Sequence, residues 1–152
     1  MGMKDDLFWM QQAYEQALDA NKQGEIPVGA VLVGSDNALL GLGHNQVIQC
    51  HDPCAHAEIL AIRQACEKTC NHRLLNATLY VTLEPCVICA GAIIQARLAR
   101  VVFATRDFKG GAAGSVYNLL QGYPLNHRVM IDEGIMQEGC AMLLSDFFKV
   151  RR

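Results

Sequence analysis

The chain has 152 residues, 51% of them hydrophobic and 18% charged, with a net charge of −2. That length fits one domain over 1–152 with a core of its own, and no apolar run approaches the roughly 20 residues of a membrane span. The near-neutral balance excludes a strongly basic nucleic-acid binder, so any contact with phosphate has to come from a local patch.

Seven cysteines are an odd number, in a chain neither small nor loop-rich, and they read as ligands or core fillers in a reducing compartment. Residues 1–23 carry Asp5, Asp6, Glu15 and Asp19 without an unbroken apolar segment, so no export signal is expected and the cytoplasm is the expected location.

Asp5 and Asp6 precede apolar residues at Leu7, Met10, Tyr14, Ala17 and Leu18, a helical stripe with acids in its first turn, ended by Gly24. Pro27 opens a strand over 28–33, Ser35-Asp36-Asn37 reads as a turn, and a second strand is expected near 38–44. Helical spacing returns over 56–69. The β-rich run Thr78 to Leu83 leads into Pro85-Cys86, and Val87 to Ala96 is apolar nearly all round, which predicts a buried helix. Residues 100–104 form another expected strand, Gly110, Gly111 and Gly114 a loop, 128–131 a short strand and 135–148 a last helix. Strands alternating with helices predict an α/β layered fold whose sheet is mixed: an antiparallel hairpin first, then crossover-linked parallel strands.

The chemistry concentrates in two short segments, His56-Ala57-Glu58 and Pro85-Cys86-Val87-Ile88-Cys89. Cys86 and Cys89 are three apart at a helix start, so their thiols share one face, and the positive helix end favours thiolates. Pro85 suits a first helical turn. With the His56 imidazole they make three soft ligands, the donor set of a catalytic zinc site that keeps its fourth position for water. Bound zinc lowers the pKa of water from about 15.7 toward roughly 7. Glu58 would take the proton of that water and hand it to the substrate, help typically worth about 10²–10⁴-fold. Cys54, two residues before His56, is a competing fourth ligand that would close the site as a structural one. Cys50, Cys66 and Cys70 read as ordinary thiols, although Cys66, Cys70 and His72 superficially suggest a second site.

H-x-E followed by P-C-x-x-C is the signature of zinc-dependent nucleobase deaminases. Beyond it, Gly24 to Ala30, His51-Asp52-Pro53, Thr82 to Cys86, Arg106-Asp107, Gly111-Ala112-Ala113-Gly114-Ser115, Asn126-His127-Arg128 and Leu144 to Phe148 make the whole chain resemble the bacterial tRNA-specific adenosine deaminases. The resemblance implies a three-layer α/β/α cytidine deaminase-like fold with about five strands. It implies a homodimer that converts adenosine to inosine at the wobble position of a tRNA anticodon stem-loop, by attack of zinc-bound hydroxide on adenine C6. It assigns His56, Cys86 and Cys89 to one Zn²⁺ per chain and Glu58 to proton transfer. It also carries Asn45 into the purine pocket, the Ala57 amide beside the reacting carbon, and Asp107, Phe147 and Phe148 to the anticodon loop.

Two residues depart from the pattern: Cys54, where Thr or Ser is more familiar, and Thr105, where a small residue is usual. Arg97, Arg100, Arg106, Lys109, Lys149, Arg151 and Arg152 are the candidate phosphate contacts. Two other readings stay open on the motifs alone: a deaminase of a free base or nucleotide, and a zinc-stabilised binding module without catalysis.

Overall fold

The computed structural model describes residues 4–121 and 127–151. Along the chain run α1 (Asp6–Lys22), β1 (Gly29–Val33), β2 (Leu39–His44), α2 (Ala57–Thr69), β3 (Thr78–Leu83), α3 (Val87–Gln95), β4 (Arg100–Thr105), β5 (Met130–Glu133) and α4 (Gln137–Val150). The sheet has the order β2-β1-β3-β4-β5. β1 is antiparallel to both β2 and β3, whereas β3, β4 and β5 are parallel.

Period-2 alternation divides this sheet into two apolar faces. Ala30, Leu32, Leu79, Val81, Val101 and Phe103 pack with Ala57, Ala61, Ile62 and Ala65 of α2 and Ala90 and Ile93 of α3. Val31, Val33, Tyr80, Val102 and Ala104 pack with Trp9, Met10 and Ala13 of α1 and Cys140 of α4. Helices therefore cover both sides, giving the expected three layers and mixed five-stranded sheet.

The start of α1 follows local chemistry. Asp5 caps α1 by accepting the Phe8 amide at 2.9 Å. At the same end, Arg100 donates twice to Asp6 (2.9 and 2.8 Å) and once to Asp132 (2.8 Å), while the Tyr80 hydroxyl donates to Asp6 at 2.6 Å. The Arg100 guanidinium thus joins β4 to α1 and β5, and the Asp6 carboxylate adds β3 through Tyr80.

β2 lies against α2 through glycines. A Cβ on Gly43 would fall 2.7 Å from the Ala57 carbonyl oxygen and 2.9 Å from Leu60 Cβ, and one on Gly41 would overlap the Ala61 carbonyl. Side chains there would force the helix off the sheet.

Three expectations need correction. The last strand is Met130–Glu133, two residues later than expected, because it is largely exposed and shows no apolar alternation. Pro85 lies outside α3, which Cys86 caps; the Pro85 carbonyl instead accepts the Ala112 amide at 2.8 Å. α3 itself is buried on one side only, through Cys89, Ala90 and Ile93, and leaves Val87 and Ile88 about half exposed.

Candidate active site and metal centre

His56 and Cys86 stand at equivalent places, the N-caps of α2 and α3, both with extended backbone and neither with a side-chain capping bond. Their imidazole and thiol are free to meet where the two helix ends converge. Cys89, one turn into α3, joins them.

The Nδ1 atom of His56 lies 3.5 Å from Cys86 Sγ and 3.4 Å from Cys89 Sγ, and all three ligand atoms lie within 4.8 Å of one another. Zinc bonds of 2.3 Å to sulfur and 2.0–2.1 Å to nitrogen at tetrahedral angles put sulfur and nitrogen about 3.6 Å apart. The three residues therefore fit a tetrahedral zinc ion.

Cys54 is absent from this cluster; its backbone is engaged locally, its amide donating to Asp52 at 2.9 Å and its carbonyl accepting from His56 at 2.8 Å. Among the described residues no second metal-ligating cluster occurs, and Cys66 and Cys70 belong to none.

The electrostatics suit soft-metal ligands. A hydrogen bond with Cys89, then one with His56, pulls the Cys86 thiol down to about 4. The bond with Cys86 and burial push Cys89 the other way. His56 is raised, chiefly by its bond to Cys86. Glu58, 4% exposed, is pushed up to about 7, mainly by burial. A carboxyl poised near neutrality can both take and return a proton.

His56, Cys86 and Glu58 line one cavity of about 150 Å³ with Asn45 and Asp107. The two-residue spacing of His56 and Glu58 does not separate them, because His56 precedes the helix and Glu58 lies in its first turn. Asn45 is buried, and its Oδ1 accepts the Ala57 amide at 2.9 Å. That amide, expected to face the reacting carbon, is already engaged. Asn45 Nδ2 makes no hydrogen bond within the described residues.

A second cavity of about 410 Å³ adjoins the first through Ile26, Asn45 and His56, and Phe147 and Arg151 close its far side. Phe147 is buried and Phe148 is 44% exposed, one facing inward and one outward. The Arg151 guanidinium sits 3.5 Å from the Phe147 ring centroid. A third hollow, lined by Gln16, His44, Arg63 and Gln64, contains none of the candidate residues.

The proposed cations divide. Arg100 is held by Asp6 and Asp132, and Arg106 by two bonds to Glu133 at 2.8 and 2.7 Å. Lys109, Lys149 and Arg151 remain exposed. Asn126 and Arg152 lie outside the described residues.

Two acids at the cavity were missed as site residues. Glu25 and Glu84 are each 2% exposed. Glu25 accepts the amides of Ile48 (3.2 Å) and Gln49 (2.8 Å); Glu84 accepts from the segment 107–115. The available signal was an acid directly flanking each of two largely apolar stretches, Glu25 before Ile26 to Val33 and Glu84 after Thr78 to Leu83.

A family model described as MafB19-like deaminase matches residues 4–152. With the mixed sheet and the ligand cluster, this puts the protein in the deaminase class. It is 48% identical over 143 residues to the tRNA-specific adenosine deaminase of Haemophilus influenzae, covering 94% of this chain and 83% of that one. A structure from a study of A-to-I editing by tRNA:A34 deaminases at the wobble position of transfer RNA superposes with a TM-score of 0.86 at 38% identity, over 90% of this chain and 98% of that chain. The chain belongs to the family of tRNA-specific adenosine deaminases. Guanine deaminase from Nitrosomonas europaea shares the fold, with a TM-score of 0.81 at 23% identity over 97% and 86% of the two chains.

Proposed function

We propose that the protein deaminates adenosine to inosine at the wobble position of a tRNA anticodon. The observation that carries this reading is a protonatable Glu58 lining one small cavity with His56 and Cys86, in a chain so similar to tRNA adenosine deaminases. The fold alone would not choose this substrate, since a guanine deaminase shares it.

His56, Cys86 and Cys89 would hold one zinc ion, whose Lewis acidity makes water available as a nucleophile near neutral pH. Glu58 takes the proton lost by the attacking water and delivers it to the purine ring nitrogen. A second transfer through Glu58 protonates the exocyclic amine; the C6–N bond breaks, ammonia leaves and the C6 carbonyl of inosine remains. Water is the only other reactant, so no redox step is involved.

Asn45 presents its Nδ2 to the purine while its Oδ1 stays on the Ala57 amide. Ala57 thus acts through Asn45, holding its orientation. Asp107 forms the opposite wall, and Phe147, Phe148 and Arg151 receive the flanking nucleotides. An anticodon loop suits such a site because its bases are already unpaired. The half-exposed Val87 and Ile88 on α3 support association into a homodimer. No described helix is long and apolar enough to cross a membrane, and a tRNA substrate favours the cytoplasm.

The test is inosine sequencing of total tRNA after incubation with purified protein, with and without a chelator, alongside free adenosine, cytosine and guanine. Inosine should form at the wobble position and cease with chelation. Comparable turnover of free bases would overturn the reading.

A further inference from the structure

The Glu84 carboxylate collects four donors from one segment. Its Oε1 accepts the Asp107 amide at 3.0 Å and the Ser115 hydroxyl; its Oε2 accepts the amides of Ala113 at 2.9 Å and Ser115 at 3.1 Å. Among the described residues no lysine or arginine pairs with it. Three backbone amides and one hydroxyl therefore satisfy this buried carboxylate, a group that is costly to bury wherever such donors are missing.

The packing is equally committed to this group. A Cβ on Gly111 would meet the Glu84 carboxylate and lie 2.6 Å from the Asp107 carbonyl. The next residue, Pro85, accepts the Ala112 amide through its carbonyl, and Cys86 follows. Asp107 is locked in turn: its Oδ1 accepts the amides of Lys109 (3.0 Å) and Gly110 (3.3 Å). Its Oδ2 accepts nothing within the described residues, on a side chain that lines the cavity.

We propose that Glu84 is a positioning residue for substrate recognition. It fixes Asp107 and the 107–115 wall relative to the Cys86 turn, so that the wall which binds the nucleoside stays in register with the ligand cluster. This rests on reading the cavity as the nucleoside site. Glutamine cannot replace the carboxylate, because in either orientation its NH₂ would confront a backbone N–H: that of Asp107 at the Oε1 place, or those of Ala113 and Ser115 at the Oε2 place.

Two measurements on the purified, metal-loaded protein decide the matter, using Glu84→Gln and the milder Ser115→Ala. Hydrogen exchange should quicken at the amides of 107, 113 and 115 in Glu84→Gln, with amides of α3 unchanged. Steady-state deamination of an anticodon stem-loop should show KM raised roughly tenfold with kcat within about threefold, and Ser115→Ala should shift KM the same way by less.

A loss confined to kcat with unchanged KM would overturn the proposal, as would unchanged exchange at these three amides. Should Glu84→Gln fail to fold, an unchanged KM and exchange in Ser115→Ala overturns it equally. If the wild-type protein binds the stem-loop but forms no inosine, the proposed function fails. The exchange data then still decide whether Glu84 holds the wall.

Discussion

Gly43→Ala tests whether the strand side of α2 sets the position of the reacting groups. The new Cβ would lie 2.7 Å from the Ala57 carbonyl, 2.9 Å from Leu60 Cβ and 3.0 Å from the Ala61 nitrogen. Comfortable contact begins near 3.5 Å, so the first turn of α2 has to retreat by roughly 0.5–0.8 Å. Overpacking of this kind costs about 1–3 kcal/mol, equivalent to a drop of roughly 3–10 °C in Tm for a chain of this size. The displaced turn carries His56 and Glu58, which must meet Cys86 and Cys89 on a different helix. Because a 1 Å misplacement can cost about 100-fold, kcat should fall roughly tenfold or more. Thermal unfolding and stem-loop deamination are the assays. Gly139→Ala is the control: nothing lies within 4 Å of that site in α4, so it should be neutral or stabilise by about 0.5–1 kcal/mol. If Gly43→Ala behaves like Gly139→Ala in both assays, the helix is not held by this contact.

Glu58→Gln should keep bound metal by elemental analysis yet lose at least about 10³-fold in inosine formation; retained turnover would remove Glu58 from proton transfer. Cys54→Ala should retain both metal and activity, since Cys54 stands outside the ligand cluster; loss of metal would restore the closed-site reading. Arg100→Ala should lower stability by about 1–2 kcal/mol at neutral pH, allowing for the partial exposure of the pair. Bonding to Arg100 lowers the Asp6 pKa below 3.8, so this stabilisation is present above pH 3.8 and is lost as pH falls through the folded value. The gap between wild type and Arg100→Ala in urea unfolding should therefore narrow on acidification below 3.8; a constant gap would refute the linkage.

Strong periodicities and close-spaced ligands were legible in the sequence. The apolar runs from Val28 to Val33 and from Thr78 to Leu83 became central strands, and His56, Cys86 and Cys89 met as their residue types required. What stayed hidden depended on partners remote in sequence. Arg100 looked like a candidate for phosphate because its acceptor Asp6 lies 94 residues earlier. Glu84 drew no attention because its donors come 23–31 residues later, from a loop with no periodicity to read. The engagement of the Ala57 amide by Asn45 required knowing how the 45–56 loop folds back. For α3, composition gave the apolar character but not which face the sheet would leave uncovered.

His56 and Cys86 occupy N-cap positions without supplying a cap bond. Serine or aspartate at either place would satisfy a helix end and gain about 1 kcal/mol. Those are the two substitutions by which α2 and α3 could most readily be strengthened, and each would delete a donor from the centre. Robustness of the fold and possession of the chemistry thus compete for the same two positions, so gains in stability have to be found elsewhere in the molecule.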